Sequence, residues 1–146
     1  MNDLKIFIVD DDVFFLHMME QHLRNLGYSL ITTFTNGSDC LDALPLNPDL
    51  VFLDHNMDHL SGYDVLRKIK RYDPNLFVVM VSAQVEIKTA VDVLKHGAFD
   101  YLEKDDNTLG KVEAIINRMI DVKAHLRRTQ PSVFHKVLQS LLLCGL

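Results

Sequence analysis

The strongest constraint on this chain lies in the polar residues that close its short apolar runs. Ile6-Phe7-Ile8-Val9 leads into Asp10-Asp11-Asp12, Leu50-Val51-Phe52-Leu53 into Asp54, Leu76 to Val81 into Ser82, and Phe99 to Leu102, past Glu103, to Lys104. These runs, with Leu30-Ile31, are the candidate strands; most are continuous rather than alternating, as strands covered on both faces should be. Helical patterns lie between them. Ile87, Ala90, Val91 and Leu94 fit the i, i+3, i+4, i+7 template, and Leu109, Val112, Ile116 and Met119 keep one helical face. Gly27 and Gly97 fall where helices one and four should stop, while Asn36 with Asp39 and Ser61 with Asp64 resemble capping starts. The alternation predicts an α/β fold of (βα)5 order: a doubly wound parallel five-stranded sheet with right-handed crossovers and helices on both faces. Ligands of such sheets bind beyond the carboxyl ends of the strands, and four of these five strands aim polar groups at that edge.

Carboxylates held together there are costly. Two unit charges 4 Å apart repel by roughly 4 kcal/mol at an effective dielectric of about 20, so the pocket calls for a bound cation. Mg²⁺ prefers oxygen ligands and typically takes one or two protein carboxylates plus phosphate oxygens. A carboxylate is also a competent nucleophile for forming an aspartyl phosphate. In such a site Lys104 would balance charge developing on a transferred phosphoryl group, and the Ser82 hydroxyl would hydrogen-bond one of its oxygens.

Composition narrows the alternatives. At 146 residues, 48% hydrophobic and 24% charged, the chain has the size and make-up of one globular domain. A net charge of −5 argues against a nucleic-acid surface, which needs clustered Lys and Arg; Lys68 to Arg71 and Arg127-Arg128 read as solvated faces. Cys40 and Cys144 lack disulfide-framework or zinc spacing. The start lacks signal-peptide character and no run approaches the ~20 apolar residues of a membrane span, so a cytoplasmic protein is expected.

The residues resemble the receiver domains of two-component response regulators from Leu4 to about Leu126. The resemblance rests on Ile8-Val9-Asp10-Asp11-Asp12, the run from Asp49 through Asp54-His55-Asn56-Met57, Ser61-Gly62-Tyr63, Val81-Ser82-Ala83, and Gly97 through Lys104, in order at the expected strand ends. It implies a flavodoxin-like strand order 2-1-3-4-5, with Asp54 as phosphoacceptor and Asp11 as a direct Mg²⁺ ligand. Asp10 would act largely through metal-bound water, and Asn56 would offer its backbone carbonyl to the metal. Ser82 and Tyr101 match the family's switch pair, whose movement would remodel the face of helix four, strand five and helix five. A histidine kinase is the implied phosphoryl donor, and the chain would be a regulatory domain rather than an enzyme, promoting its own phosphorylation and dephosphorylation.

Two positions depart from the family pattern. Asp58 stands where a proline usually comes after the Met57 equivalent, and Asp105 where a cis-proline usually comes after the lysine. A non-proline cis bond costs roughly 3 kcal/mol, so a trans loop and a somewhat differently aimed Lys104 are expected. His55 and Gln84 are also less usual, at places where the family tunes hydrolysis of the aspartyl phosphate. His17, His22 and His96 read as helix-surface residues.

The alternative reading is a haloacid-dehalogenase-like phosphatase. Asp10-Asp11-Asp12-Val13 fits its D-x-D-x-V motif, with Asp10 as nucleophile and Asp12 as general acid, and Thr35-Asn36-Gly37 resembles its second motif. Those enzymes need further metal-binding acids after a late strand, where this chain has Val81-Ser82-Ala83, and the reading leaves Asp54 unexplained. A flavin-binding module of similar topology fits less well, because three aspartates would repel its phosphate. The sequence divides into a receiver domain at residues 1–128 and a C-terminal amphipathic helical extension at 129–146. There Phe134, Val137, Leu138, Leu141 and Leu142 form an apolar stripe after Pro131. The stripe is expected to pack on its own domain or, favoured because the helices already cover both sheet faces, to form a homodimer.

Overall fold

Four parallel pairings order the sheet. The structure, a computed structural model, describes residues 3–129. Strands β1 (Ile6–Val9), β2 (Ile31–Phe34), β3 (Leu50–Asp54), β4 (Phe77–Ser82) and β5 (Asp100–Glu103) lie in the order β2-β1-β3-β4-β5, as expected. The helices are α1 (Val13–Asn25), α2 (Gly37–Asp42), α3 (Gly62–Tyr72), α4 (Ile87–Lys95) and α5 (Thr108–Thr129), with a 3-10 turn at Leu44–Leu46. Every residue of β1 and β3 is buried, as is all of β4 after Phe77.

Alternation along the strands sorts the core. Phe7, Val9, Val51, Leu53, Val78 and Met80 share one cluster with Cys40 and Leu44, with Val65, Leu66 and Ile69 of α3, and with Val93 of α4. The intervening Ile6, Ile8, Leu50, Phe52, Val79 and Val81 face the other side. α1 lies against β1 and β2 and buries Phe15, Leu16, Met19 and Leu23. Burial pushes the Cys40 thiol up to about 12, leaving it unreactive at neutral pH.

The capping expectations hold. Asn36 accepts from the Asp39 amide, Ser61 accepts from the Asp64 amide, and Gly27 and Gly97 take φ of 98° and 99°, where glycine avoids a Cβ clash. Elsewhere the chain departs from its pattern. The second strand runs over Ile31–Phe34 rather than Leu30-Ile31: it is an edge strand, and Thr32 and Thr33, although polar, are β-branched and suit an exposed pleat. The apolar stripe of α4 is turned outward: Val93 is buried, while Ile87 is 82% exposed and Val91 and Leu94 are exposed too. Lys70 is not a solvated lysine, for its ammonium donates to the Pro74 and Leu76 carbonyls at 3.1 and 2.7 Å.

The division between compact units falls inside α5, between Val112 and Glu113. Of the expected face, Val112, Ile116 and Met119 are buried and Leu109 is half-buried. The extension with its stripe at Phe134 to Leu142 lies outside the described residues. Among the described residues no helix is long and apolar enough to cross a membrane.

Candidate functional site

The site hangs from the carboxyl ends of β1, β3, β4 and β5, where backbone bonds extend the sheet beyond the strands. Asp10 N–H donates to the Phe34 carbonyl at 3.0 Å, His55 N–H to Val81 at 2.9 Å and Lys104 N–H to Ser82 at 2.8 Å. Asp10, Asp54 and Ser82 are buried, whereas Asp11 is exposed at the rim. One carboxylate oxygen from each of Asp10, Asp11 and Asp54 lies within 4.8 Å of the others. Lys104 Nζ also reaches this group, 2.6 Å from Asp10 Oδ2 and 3.3 Å from Asp54 Oδ1.

Charge is unbalanced in this pocket. Burial, reinforced by repulsion from Asp10, pushes the Asp54 carboxyl up to about 6 although Lys104 and the Asn56 amide favour its anion. Burial likewise raises Asp10, against the hydrogen bond from Lys104 and that from the Asp12 amide at 2.9 Å. Burial works against the lysine ammonium, but the two carboxylates outweigh it and hold Lys104 above the ordinary lysine range. One lysine thus serves two buried carboxylates with a third beside them. The all-oxygen donor set, partly buried and open at Asp11, fits a hard divalent cation.

The members of the acidic triplet differ in what they do locally. Asp12 is the N-cap of α1 and accepts from the Phe14 and Phe15 amides at 3.0 and 3.3 Å. That bonding places its carboxylate at the helix start. The Phe15 ring lies beneath Lys104, its centroid 4.5 Å from Nζ. Sequence reasoning missed this cation–π contact, because the next-door Phe14 is the exposed member of the pair and the two cannot be told apart by spacing alone.

Ser82 and Tyr101 meet at one acceptor. Ser82 Oγ donates to the Gln84 carbonyl at 2.8 Å and accepts from the Gln84 amide at 3.3 Å, while the Tyr101 hydroxyl donates to the same carbonyl at 3.3 Å. Asn56 Nδ2 donates to Ser82 Oγ at 3.4 Å. The His55 ring stands edge-on to Tyr101 at 6.4 Å between centroids, and burial lowers the His55 pKa. His96 is a surface residue at the end of α4, as expected, and bonds the Tyr63 hydroxyl through Nε2 at 2.9 Å.

The loop from Asp54 into α3 is tightly packed. Gly62 N–H donates to the His55 carbonyl at 3.0 Å, and a Cβ on Gly62 would fall 2.1 Å from the Asp54 carbonyl oxygen. Glycine at this close approach, beside the expected phosphoacceptor, is therefore a steric requirement. Among the described residues there is no cis peptide bond, so the chain runs trans past Asp58 and Asp105.

Comparison with known proteins gives a consistent result. Residues 6–116 match the response regulator receiver domain family. The chain is 36% identical over 115 residues to the DNA-binding transcriptional regulator NtrC of Klebsiella pneumoniae, covering 78% of this chain and 24% of that protein. It is 30% identical over 112 residues to the chemotaxis protein CheY of Thermotoga maritima, covering 76% of this chain and 93% of CheY. Among solved structures, the CheX–CheY–BeF3–Mg²⁺ complex from Borrelia burgdorferi superposes with a TM-score of 0.75 at 28% identity, over 80% of this chain and 89% of that one. The chain thus spans about a quarter of the NtrC regulator and nearly all of the Thermotoga CheY.

Proposed function

The chain belongs to the response regulator receiver family of two-component systems, and from that premise we propose that it is a phosphoacceptor switch modified at Asp54. The observation that carries the reading is the buried Asp54 carboxylate, set within 4.8 Å of Asp10 and Asp11 and contacted by Lys104. An Asp54 oxygen would attack the phosphorus of a kinase phosphohistidine or a small phosphodonor; the bond to the leaving group breaks, and its electron pair departs with that group. Lys104 would track the charge onto the new aspartyl phosphate, and Ser82 would hydrogen-bond one of its oxygens.

Asp10, Asp11, Asp54 and the Asn56 backbone carbonyl are the proposed holders of Mg²⁺, which when bound neutralises phosphoryl charge. A CheY relative is known in complex with BeF3 and Mg²⁺, which supports the same cation here. His55, next to Asp54 in the chain, and Gln84, whose backbone bonds Ser82, are the proposed residues that tune hydrolysis of the aspartyl phosphate.

Switching would begin at Ser82. If its hydroxyl swings to the phosphoryl group, it leaves the Gln84 carbonyl that it shares with Tyr101. That local exchange would bias Tyr101 and the face of α4, β5 and α5, a bistable element read by a partner protein. The outward Ile87, Val91 and Leu94 of α4 support a protein-contact output. A histidine kinase is the proposed donor, and a homodimer through the C-terminal extension is a separate proposal, tested by light scattering with and without residues 129–146. The switch itself is tested by NMR: BeF3 with Mg²⁺ should shift the Ser82, Gln84 and Tyr101 amides in the wild type and leave them in place in Asp54→Ala. Equal shifts in both proteins would reject the reading.

A further inference from the structure

Among the described residues four polar or charged side chains are buried: Asp10, Asp54, Ser82 and Thr108. Three form the site. The fourth, 2% exposed, opens α5 four residues beyond Lys104. Its Oγ1 accepts from the Asp105 amide at 2.7 Å and faces the Glu103 and Asp105 carbonyls at 2.9 and 2.8 Å, to which it can donate its single proton. One hydroxyl therefore ties down the residues on both sides of Lys104. The Lys104 amide is itself fixed to the Ser82 carbonyl at 2.8 Å.

We propose that Thr108 is a positioning residue for phosphoryl transfer: by clamping Glu103 and Asp105 it holds the Lys104 backbone so that Nζ reaches Asp10 and Asp54. The inference rests on the phosphoacceptor reading of Asp54. The clamp occupies the turn that follows Lys104, where the chain runs trans through Asp105. The Asp105 side chain contributes less, since its bonds to the Asn107 amide at 2.8 Å and to Lys111 Nζ at 3.3 Å lie on the exposed rim. Without the hydroxyl, the Asp105 amide loses its acceptor and one carbonyl its donor, while the Asp105 carbonyl keeps the Thr108 amide at 3.2 Å, so the turn is held less firmly. A misplacement near 1 Å at a reacting group can slow a reaction by about a hundredfold.

The experiment is a double-mutant cycle on the full chain, reading the rate of phosphorylation by acetyl phosphate and the affinity for Mg²⁺ alone. Thr108→Val keeps shape and loses the hydroxyl; it should slow phosphorylation by about tenfold or more. Mg²⁺ affinity should hold or rise, since a lysine drawn back from the carboxylates no longer competes with the cation, whereas general loosening of the site would lower both. Thr108→Ser should recover most of the rate. In a Lys104→Ala background Thr108→Val should add less than about a twofold effect, because coupled residues are not additive. Should Thr108→Val not fold, Thr108→Ala, which drops the hydroxyl without setting a charge against the two carbonyls, replaces it in the same cycle. Equal slowing with and without Lys104, or an unaltered rate in Thr108→Val, overturns the inference. A wild-type chain that takes no phosphoryl group overturns the reading beneath it as well.

Discussion

The Lys104 ammonium lies nearer to Asp10 than to Asp54, 2.6 Å against 3.3 Å. The lysine therefore neutralises a proposed metal ligand more closely than the proposed acceptor, and it would compete with a bound cation for Asp10. Lys104→Ala should leave Mg²⁺ affinity unchanged or raise it by several-fold, while slowing phosphorylation by about tenfold or more. A Mg²⁺ titration and a phosphorylation time course on the variant measure the two effects. Weaker Mg²⁺ binding would show that the lysine organises the carboxylates instead of competing for them.

Asp11 and Asp12 separate metal binding from helix capping. Asp12 already accepts two α1 amides, so Asp12→Ala should cost about 1 kcal/mol of stability with little change in Mg²⁺ affinity. Asp11 is exposed and brings a carboxylate oxygen to the cluster, so Asp11→Ala should weaken Mg²⁺ by about tenfold, the worth of roughly 1.4 kcal/mol, with little change in melting temperature. Equal Mg²⁺ losses in the two variants would mean that the triplet has been misassigned.

Burial and Asp10 hold the Asp54 carboxyl near 6, above its ordinary 3.8. Between those values the folded protein keeps a proton that the unfolded chain has released, so stability falls as pH rises through the window and stays lower above it. At about 1.4 kcal/mol per pH unit the loss is at most about 3 kcal/mol. In metal-free buffer at neutral pH, Asp54→Asn should therefore be more stable than the wild type by about 1–3 kcal/mol, and saturating Mg²⁺ should narrow the gap. Urea unfolding at several pH values gives the comparison; identical stabilities at neutral pH would contradict the charge imbalance.

Gly62→Ala should damage fold and site together. Its Cβ would meet the Asp54 carbonyl oxygen and the His55 backbone, neither of which can yield as a flexible side-chain tip could. A loss of about 2–3 kcal/mol in thermal or urea unfolding is expected, with slower phosphorylation because the Asp54 backbone shifts. A variant of wild-type stability would mean that this loop relaxes at no cost.

The strand ends made the site legible. Asp10, Asp54, Ser82 and Lys104 each come after an apolar run, and the parallel sheet brings such positions to one edge whatever the details of packing. Side-chain period was a weaker guide to α4, because Ile87, Val91 and Leu94 define a helix face without stating which way it turns; Val93 alone is buried there. Ile87→Lys should accordingly alter stability by less than about 0.5 kcal/mol, as urea unfolding would read it. β2 was displaced because Thr32 and Thr33 carry strand preference in a polar guise. Thr108 and Phe15 were invisible for another reason: a threonine at a helix start and a phenylalanine in a helix are ordinary, and only the fold puts one beneath the turn of Lys104 and the other beneath its ammonium.

The most direct measurement is the intact mass of the chain after incubation with acetyl phosphate and Mg²⁺. The wild type should gain one phosphoryl group, lost on chelating the metal before the reaction, and Asp54→Asn should gain none. A phosphoryl group that persists in Asp54→Asn and disappears in Asp10→Asn would contradict the account and make Asp10 the nucleophile.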